Sequence, residues 1–174
     1  MTASRRLHEA LFRPRRIALI GASADRTRLT ARVQLYLRKH GFAGDILPVH
    51  PRERTVLGEQ AYPTVADIPG PVDFAYILLN TAQVEGVVGA VAEKGIPVAC
   101  VLADGFAEAG PEGLARQERL LAAARAAGLR LLGPNSMGVV NLNARIACSV
   151  NAALEADALP AGRIALVSQS GSMM

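Results

Sequence analysis

Aromatic side chains, cysteines and long apolar stretches are all scarce in this chain of 174 residues. Aromatics make up 4% of the sequence and tryptophan is absent, which disfavours a protein that stacks the bases of single-stranded nucleic acid on aromatic rings. The two cysteines form no paired framework, so we expect a reducing, cytoplasmic compartment. No apolar run approaches the roughly 18 residues of a membrane span, so we predict no membrane partner.

Self-contained catalytic machinery is missing as well. The sequence holds no Ser–His–Asp set, no cluster of metal-ligating side chains and no G-x-x-x-x-G-K-[ST] phosphate loop. His50 follows a predicted strand, but no His or Cys lies near it in sequence, so we interpret it as a loop histidine. The sequence therefore names no catalytic residue and no metal site.

What the chain does have is a globular composition, with 51% apolar and 20% charged residues. Its charge is uneven, because residues 1–54 hold 12 Lys and Arg against 4 Asp and Glu, whereas residues 55–174 hold 7 against 11. The basic first third favours an anionic partner, although a solvated basic helix face explains the same count. Nucleic acid is disfavoured, since nothing beyond this charge supports it.

Short apolar runs alternate with amphipathic stretches along the chain. The predicted buried strands are residues 16–21, 45–49, 74–79, 98–102 and 129–132. The predicted helices are residues 30–40, a segment from Thr81 as N-cap to Gly95, and residues 111–127, and a hairpin is predicted over residues 139–150. This alternation predicts an α/β fold, a Rossmann-like doubly wound parallel sheet covered on both faces.

A last segment falls outside this unit. Residues 154–162 are predicted as a linker because they contain Pro160 and Gly162, and residues 163–167 are predicted as a fresh apolar strand. A Ser/Gly turn follows, of the kind that normally opens a helix. We therefore expect a Rossmann-like domain at 1–153 and, at 154–174, a linker and the start of a truncated second domain.

The residues directly after each strand are the candidate ligand contacts, since open parallel sheets bind ligands beyond the carboxyl ends of their strands. After the first strand, Gly21, Ala22, Ser23 and Ala24 form a tight turn whose N–H groups suit a phosphate. A plain tight turn is the alternative interpretation. The full fingerprint G-x-G-x-x-G is absent, which weakens the case for an ordinary NAD site.

The second strand ends on a basic segment. Arg52 and Arg54 stand where an NAD enzyme has an acidic residue for the ribose hydroxyls, and they suit a phosphate on the ribose or nearby. This pair favours NADP or coenzyme A over NAD, with a solvated surface pair as the alternative.

The fourth and fifth strands end in small or polar loops. Ala103, Asp104 and Gly105 follow the fourth, and the glycine permits close approach of the backbone to a ligand. Asn135 gives a polar tip to the rigid turn after the fifth. Strand ends of this kind, side by side, predict a ligand-binding rim.

Several motifs follow one another at characteristic spacings. They are LFRPRRIALIGAS at 11–23, GFAGDILPVHPR at 41–52, VLG at 56–58, YPT at 62–64, GF at 105–106 with Glu108, LGPNSMG at 132–138 and IALVSQSG at 164–171. Together they resemble the CoA-binding domain of NDP-forming acyl-CoA synthetases, the family of ADP-forming acetate–CoA ligase and, more distantly, the succinyl-CoA synthetase α subunit. The resemblance spans nearly the whole chain.

The resemblance implies a role for each candidate residue. Residues 21–24 would cradle a CoA phosphate, and Arg52, in place of a usual Lys, would meet a CoA phosphate or ribose. Residues 103–105 would contact the adenine nucleotide or the pantetheine arm, and Asn135 would lie near the thiol end. The full enzyme would use ATP and Mg²⁺ to form an acyl phosphate, attack it with a histidine and pass the acyl group to CoA.

The chain also departs from the family pattern. His50 replaces a usual Asn, Ser136 replaces a frequent Cys, and residues 27–30 lack the glycines that commonly follow the first turn. No histidine here matches the family's phosphohistidine, so the chain alone is expected to be an inactive fragment that depends on ligase and ATP-grasp domains or a subunit.

Two other functions are compatible with the residues. One is a stand-alone module that senses CoA or another nucleotide, and the other is an NADP-binding oxidoreductase domain. The strand predicted at 163–167 disfavours the first, and the single-glycine loop disfavours the second. The sequence does not indicate the acid substrate, a one-chain or αβ parent, or whether the protein is a homo-oligomer.

Overall fold

The computed structural model of the protein describes residues 3–168, with side chains from Arg6 onward. Within this range the α-helices are α1 (Ala3–Phe12), α2 (Leu29–Lys39), α3 (Thr81–Glu93) and α4 (Pro111–Ala126). The strands are β1 (Arg16–Ile20), β2 (Asp45–Val49), β3 (Thr55–Val56), β4 (Glu59–Gln60), β5 (Phe74–Ile77), β6 (Val98–Val101), β7 (Arg130–Leu132), β8 (Gly138–Asn141) and β9 (Ile146–Ser149). Short 3₁₀ helices cover Ala107–Ala109, Leu142–Ala144 and Ala152–Glu155.

The central sheet has five parallel strands in the order β2-β1-β5-β6-β7. Its register places Ile17 of β1 between Ile46 of β2 and Phe74 of β5. All the buried strands predicted for this sheet form, each within two residues of its predicted bounds. The hairpin predicted at 139–150 forms as the antiparallel pair β8–β9. The α/β doubly wound architecture is therefore confirmed.

Apolar side chains cover both faces of this sheet. On one face, Ala18 of β1 lies in a cluster with Val88 of α3 and with apolar residues of α4. On the other face, Ile17 lies in a cluster with Leu37 of α2 and Cys148 of β9. Neighbouring residues of a strand point to opposite faces, which is why each strand is apolar throughout. Burial of each large aliphatic side chain contributes about 1.5–3 kcal/mol.

The helices begin and end where the sequence predicts, with one exception. Pro111 is the first residue of α4, where its missing N–H costs no helical hydrogen bond. The N-cap of α3 is Asn80, so the prediction of Thr81 as N-cap is wrong. Thr81 is the first helical residue, and its hydroxyl donates instead to the carbonyl oxygen of Asp104 at 2.7 Å. The side chain thus joins α3 to the loop after β6.

The strand predicted at 163–167 is also wrong, because these residues form no strand in the structure. Ile164 and Val167 are 96% and 98% exposed. A strand needs a neighbour to accept and donate its backbone hydrogen bonds, and no described strand lies beside this segment. Residues 169–174, which include most of the predicted Ser/Gly turn, lie outside the described residues.

The segment just after β9 packs back onto the domain. Leu154 is 5% exposed, and its carbonyl oxygen lies 2.8 Å from His40 Nε2. The Tyr36 hydroxyl donates to Glu155 Oε1 at 3.0 Å. These contacts tie residues 152–155 to α2. The domain boundary at residue 153 stays a prediction.

Candidate ligand-binding site

The strand order places a switch point between β1 and β5. The chain leaves β1 toward β2 on one side and later returns to build β5, β6 and β7 on the other. The loops after β1 and β5 therefore lead away to opposite sides of this point, the arrangement that leaves a crevice at the carboxyl edge of open α/β sheets. Ligands of open α/β sheets bind at such a crevice.

Gly21 stands at this switch point, and only glycine fits there. Its φ is +87°, which L side chains rarely adopt. A Cβ on this residue would lie 2.7 Å from Leu79 Cδ2 and 3.2 Å from the Leu78 carbonyl oxygen. The loop after β1 is thus held close to the end of β5.

The backbone N–H groups of Ala22, Ser23 and Ala24 donate to no acceptor within residues 3–168. Ser23 Oγ accepts the backbone N–H of Asp25 at 3.1 Å, so its own hydroxyl proton remains available to a ligand. Successive unpaired N–H groups in a turn form a concave site that favours an anion. The loop therefore fits a phosphate group.

A loop separates this turn from the helix that follows. α2 begins at Leu29, one residue before its predicted start at residue 30. Asp25 organises this loop: its Oδ1 accepts the Thr27 N–H at 3.0 Å and the Thr27 hydroxyl at 2.7 Å. Its Oδ2 lies 3.6 Å from Arg28 Nε. The Thr27 hydroxyl and N–H, and then Arg28, hold the pKa of Asp25 below its ordinary value.

The segment after β2 supplies positive charge beside this loop. Arg52 and Arg54 are exposed, and their side chains make no ion pair within the described part of the chain. His50 Nδ1 accepts the backbone N–H groups of Arg52 and Glu53, at 3.3 and 3.0 Å. This histidine therefore shapes the basic loop, in agreement with its interpretation from sequence.

The loops after β6 and β7 are joined to each other. The N–H of Asn135 donates to the Ala103 carbonyl oxygen at 2.8 Å, so two of the predicted contact sites meet directly. Asn135 is exposed and has a φ of +55°, a left-handed conformation that asparagine tolerates better than most residues. Its side chain is held at the rim of the sheet.

Glu108 closes the loop after β6. Its Oε1 accepts the N–H groups of Gly105 at 2.7 Å and of Phe106 at 3.3 Å. The N–H groups of Glu108 itself, Phe106 and Gly105 hold the pKa of this carboxyl below its ordinary value. Because Thr81 also bonds to Asp104 from α3, this loop is fixed from both sides.

A buried polar cluster lies beneath the turn after β7. The Tyr76 hydroxyl donates to the Ser136 carbonyl oxygen at 3.1 Å, and Cys100 Sγ lies 3.8 Å from the same oxygen. Burial raises the pKa of the Cys100 thiol to about 12, and it also raises the pKa of Tyr76 and of Cys148. These groups stay protonated and support the turn rather than react.

Two negative findings concern the described residues only. No helix among residues 3–168 is long and apolar enough to cross a membrane. The same residues contain no group of three or more His, Cys, Asp or Glu side chains placed to hold a metal ion.

The fold and the loops at its switch point are those of the class of open α/β domains that bind nucleotides in other proteins. The protein family described as CoA binding domain matches residues 15–141 of this chain. The chain belongs to this family of CoA-binding domains, as its motifs predicted.

Similar proteins include ADP-forming CoA ligases. The I subunit alpha of acetate–CoA ligase (ADP-forming) from Pyrococcus furiosus is 36% identical over 169 residues, which cover 95% of this chain and 36% of that protein. The 4-hydroxybutyrate–CoA ligase (ADP-forming) of Nitrosopumilus maritimus is 32% identical over 163 residues, covering 94% of this chain and 23% of that one.

A solved structure shares the fold over nearly the whole domain. It is the dinucleotide-forming acetyl-coenzyme A synthetase 1 of Ca. Korarchaeum cryptofilum in complex with phosphate and ADP, with a TM-score of 0.88 and 32% sequence identity. The match covers 95% of this chain and 34% of that chain. The protein thus spans about a third of this structure's chain.

The sequence predicts the loops after β1, β2, β6 and β7 as candidate ligand contacts, but three residues that shape these loops were not predicted to do so. Thr81 was predicted only as a helix cap, and Tyr76 lies in a continuous apolar strand without any polar signal. Asp25 carried a readable signal, because an Asp two residues before a Thr is typical of a turn closed by side-chain hydrogen bonds.

Proposed function

We propose that this chain is the CoA-binding domain of an ADP-forming acyl-CoA synthetase and that it binds coenzyme A along the carboxyl edge of its sheet. The observation that carries the proposal is the row of N–H groups at residues 22–24 that have no acceptor among residues 3–168, at the switch point of a domain from a CoA-binding family. A phosphate of CoA supplies the acceptors that these groups lack.

The order of the strands indicates which part of CoA lies beside which loop. The cradle of Gly21, Ala22, Ser23 and Ala24 holds the pyrophosphate, and Arg52, on the loop of the neighbouring β2, meets the ribose or its 3′-phosphate. The nucleotide end of CoA therefore lies over β1 and β2.

The pantetheine arm then crosses the sheet toward β6 and β7. Ala103, Asp104 and Gly105 line its path, and the Asn135 side chain lies near the thiol end. The bond between the Ala103 carbonyl and the Asn135 N–H keeps these two loops in register. CoA supplies the thiol that accepts the acyl group, and the chain holds that thiol in place.

The rest of the reaction belongs to parts that this chain does not supply. Its histidines are poor candidates for the phosphohistidine, because His40 contacts the Leu154 carbonyl and His50 accepts two backbone N–H groups. His8 lies on α1, where Arg6 donates to the carbonyl oxygen of Gly95, which lies before the start of β6 at the edge of the sheet opposite the rim. ATP, Mg²⁺ and the reactive histidine are assigned to partner domains or a partner subunit, in the cytoplasm.

The acid substrate is also set elsewhere. The similar region occurs in proteins named for acetate and for 4-hydroxybutyrate. A region shared by ligases of different acids is a poor place to select between them, so we assign acid selectivity to the partner domains.

Calorimetric titration of the 174-residue chain with CoA, NAD and NADP tests the proposal. We expect CoA to bind most tightly, because only CoA places both a pyrophosphate and a pantetheine arm along this rim. Tighter binding of NADP than of CoA would overturn the assignment and favour an oxidoreductase domain.

A further inference from the structure

The loop after β1 reaches its shape without the glycines that commonly make such loops. Residues 22–28 contain no glycine, so the conformational freedom of glycine does not explain the shape of this loop. Hydrogen bonds to side chains hold the loop instead. The Asp25 N–H donates to Ser23 Oγ, and Asp25 Oδ1 accepts twice from Thr27. The Asp25 carbonyl oxygen also accepts the Arg28 N–H at 3.1 Å.

Every one of these bonds passes through Asp25. The residue is bonded to Ser23 on one side and to Thr27 and Arg28 on the other, so its bonds constrain the backbone that carries the N–H groups of residues 22–24. Its side chain is about half exposed, at 53%. The Cα atom of Asp25 lies within about 7 Å of the Cα atom of Ser23, so the Asp25 carboxylate places a negative charge near the proposed anion cradle.

We propose that Asp25 is a positioning residue with two opposing effects on CoA binding, an inference that rests on the proposed function. Its hydrogen bonds shape the cradle and strengthen binding. Its charge repels the phosphate and engages Arg28, and both consequences weaken binding. The domain therefore holds CoA less tightly than its loop geometry allows.

Two substitutions separate these effects. Asp25→Asn keeps an oxygen that accepts from Thr27 and removes the charge, which also frees Arg28 for the ligand. Asp25→Ala removes the charge and the acceptor together. We expect Asp25→Asn to bind CoA roughly 3- to 10-fold more tightly than the parent chain, and Asp25→Ala to bind it at least about 10-fold more weakly.

The chain offers a matched control in the connection between β4 and β5, outside the loops assigned to the ligand. Asp67 Oδ2 accepts the N–H and the hydroxyl of Thr64, at 3.0 and 2.7 Å, which repeats the hydrogen-bond pattern of Asp25. This residue lies near the carboxyl-terminal end of α3, because Lys94 binds the Ile68 carbonyl oxygen. Asp67→Asn should leave the affinity for CoA unchanged.

Calorimetric titration with CoA at two salt concentrations gives the decisive readout. Between about 0.02 M and about 0.5 M salt the Debye length falls from roughly 20 Å to roughly 4 Å. The gain of Asp25→Asn over the parent should therefore shrink toward nothing, whereas the loss in Asp25→Ala should persist. Thermal unfolding of each variant shows that the fold is intact.

The outcomes distinguish the inference from the function on which it rests. If the parent chain binds no CoA, the proposed function is overturned and the inference fails with it. If the parent binds CoA but Asp25→Asn weakens binding as much as Asp25→Ala, the charge has no opposing effect and the inference alone is wrong. Unchanged affinity in both variants would also overturn it.

Discussion

The two edges of the central sheet use their polar groups in opposite ways. At the amino edge, Asp73 Oδ2 accepts the backbone N–H groups of Arg15 and Arg16, at 2.8 and 3.0 Å, and the Arg16 guanidinium donates to Asp45 Oδ2 at 3.0 Å. At the carboxyl edge, the N–H groups of residues 22–24 donate to no acceptor within residues 3–168. One edge satisfies its polar groups internally, and the other keeps them available.

Arginine shows the contrast within a single residue type. The Arg16 side chain is 22% exposed and bonds to Asp45 and to the Pro71 carbonyl oxygen. Arg52 is exposed and makes no ion pair among the residues described. The first arginine stabilises the fold, whereas the second adds positive charge where a ligand's phosphate is expected. Substitutions at the two edges should therefore separate stability from binding.

The largest effect is expected for Gly21→Val. A valine would require a positive φ that its branched side chain resists, and its Cβ would meet Leu79 and the backbone of residue 78. We expect CoA binding to be abolished and the free energy of unfolding to fall by about 1–3 kcal/mol. Calorimetry and urea unfolding measure the two effects.

Gly86→Ala is the control for this change. Gly86 lies within α3, and a Cβ there would meet nothing within 4 Å, so the substitution should raise stability by about 0.5–1 kcal/mol and leave binding unchanged. Normal binding of CoA by the Gly21→Val variant would contradict the site assignment, since the phosphate would then lie elsewhere.

Asp73→Ala should act on stability alone. The change leaves the N–H groups of Arg15 and Arg16 without their acceptor, so we expect the free energy of unfolding to fall by about 2–3 kcal/mol. Urea unfolding measures this loss, and Asp73→Asn, which keeps an acceptor oxygen, should lose less. A weaker affinity for CoA in the folded variant would show that the two edges are not independent.

Arg52→Ala should act on binding alone. Loss of a charge-assisted contact to a phosphate costs about 1.5–3 kcal/mol, or roughly 10- to 150-fold in affinity. If Arg52 meets the 3′-phosphate, CoA is weakened more than dephospho-CoA, and equal loss for both ligands would instead place Arg52 at the pyrophosphate. As a control, Arg15→Ala removes an exposed arginine at the amino edge and should leave the affinities for CoA and dephospho-CoA unchanged. If Arg52→Ala also left both affinities unchanged, Arg52 would be a solvated surface residue without contact to the ligand.

The smallest effect is expected for Ser23→Ala. The backbone donors of the cradle remain, and only the hydroxyl of Ser23 is lost, so CoA should bind roughly 3- to 10-fold more weakly. Titration against the parent chain measures the change. A loss as large as that of Gly21→Val would mean that the hydroxyl, rather than the backbone, is the main contact to the phosphate.

The sequence was sufficient for the sheet because buried parallel strands are apolar on both faces. Runs such as residues 16–21 and 74–79 therefore stand out without any alignment. The same criterion failed at residues 163–167, where an equally apolar run has no neighbouring strand in the structure. Apolar character predicts that a segment is stable when it is buried, but it does not say whether another element of the described chain packs against it.

The location of the loops that form the rim could be predicted from the sequence, whereas the contacts that hold these loops in place could not. Strand ends converge at one edge in any parallel sheet, so Gly21, Arg52 and Asn135 were expected to share a site. The bond between Thr81 and Asp104 and the contact of Tyr76 with Ser136 join residues that lie far apart in sequence. Such contacts depend on tertiary packing, and no local pattern encodes them.

The buried state of the two cysteines has a consequence for disulfide exchange. Burial raises the pKa of Cys100 to about 12, so its thiolate, which is the attacking species, is scarce near neutral pH. Cys148 is 1% exposed and its pKa is raised in the same direction. The protein is therefore expected to form no mixed disulfide with oxidised CoA, and a thiol-reactive dye added to the folded chain with its ligand should report the ligand's sulfur alone.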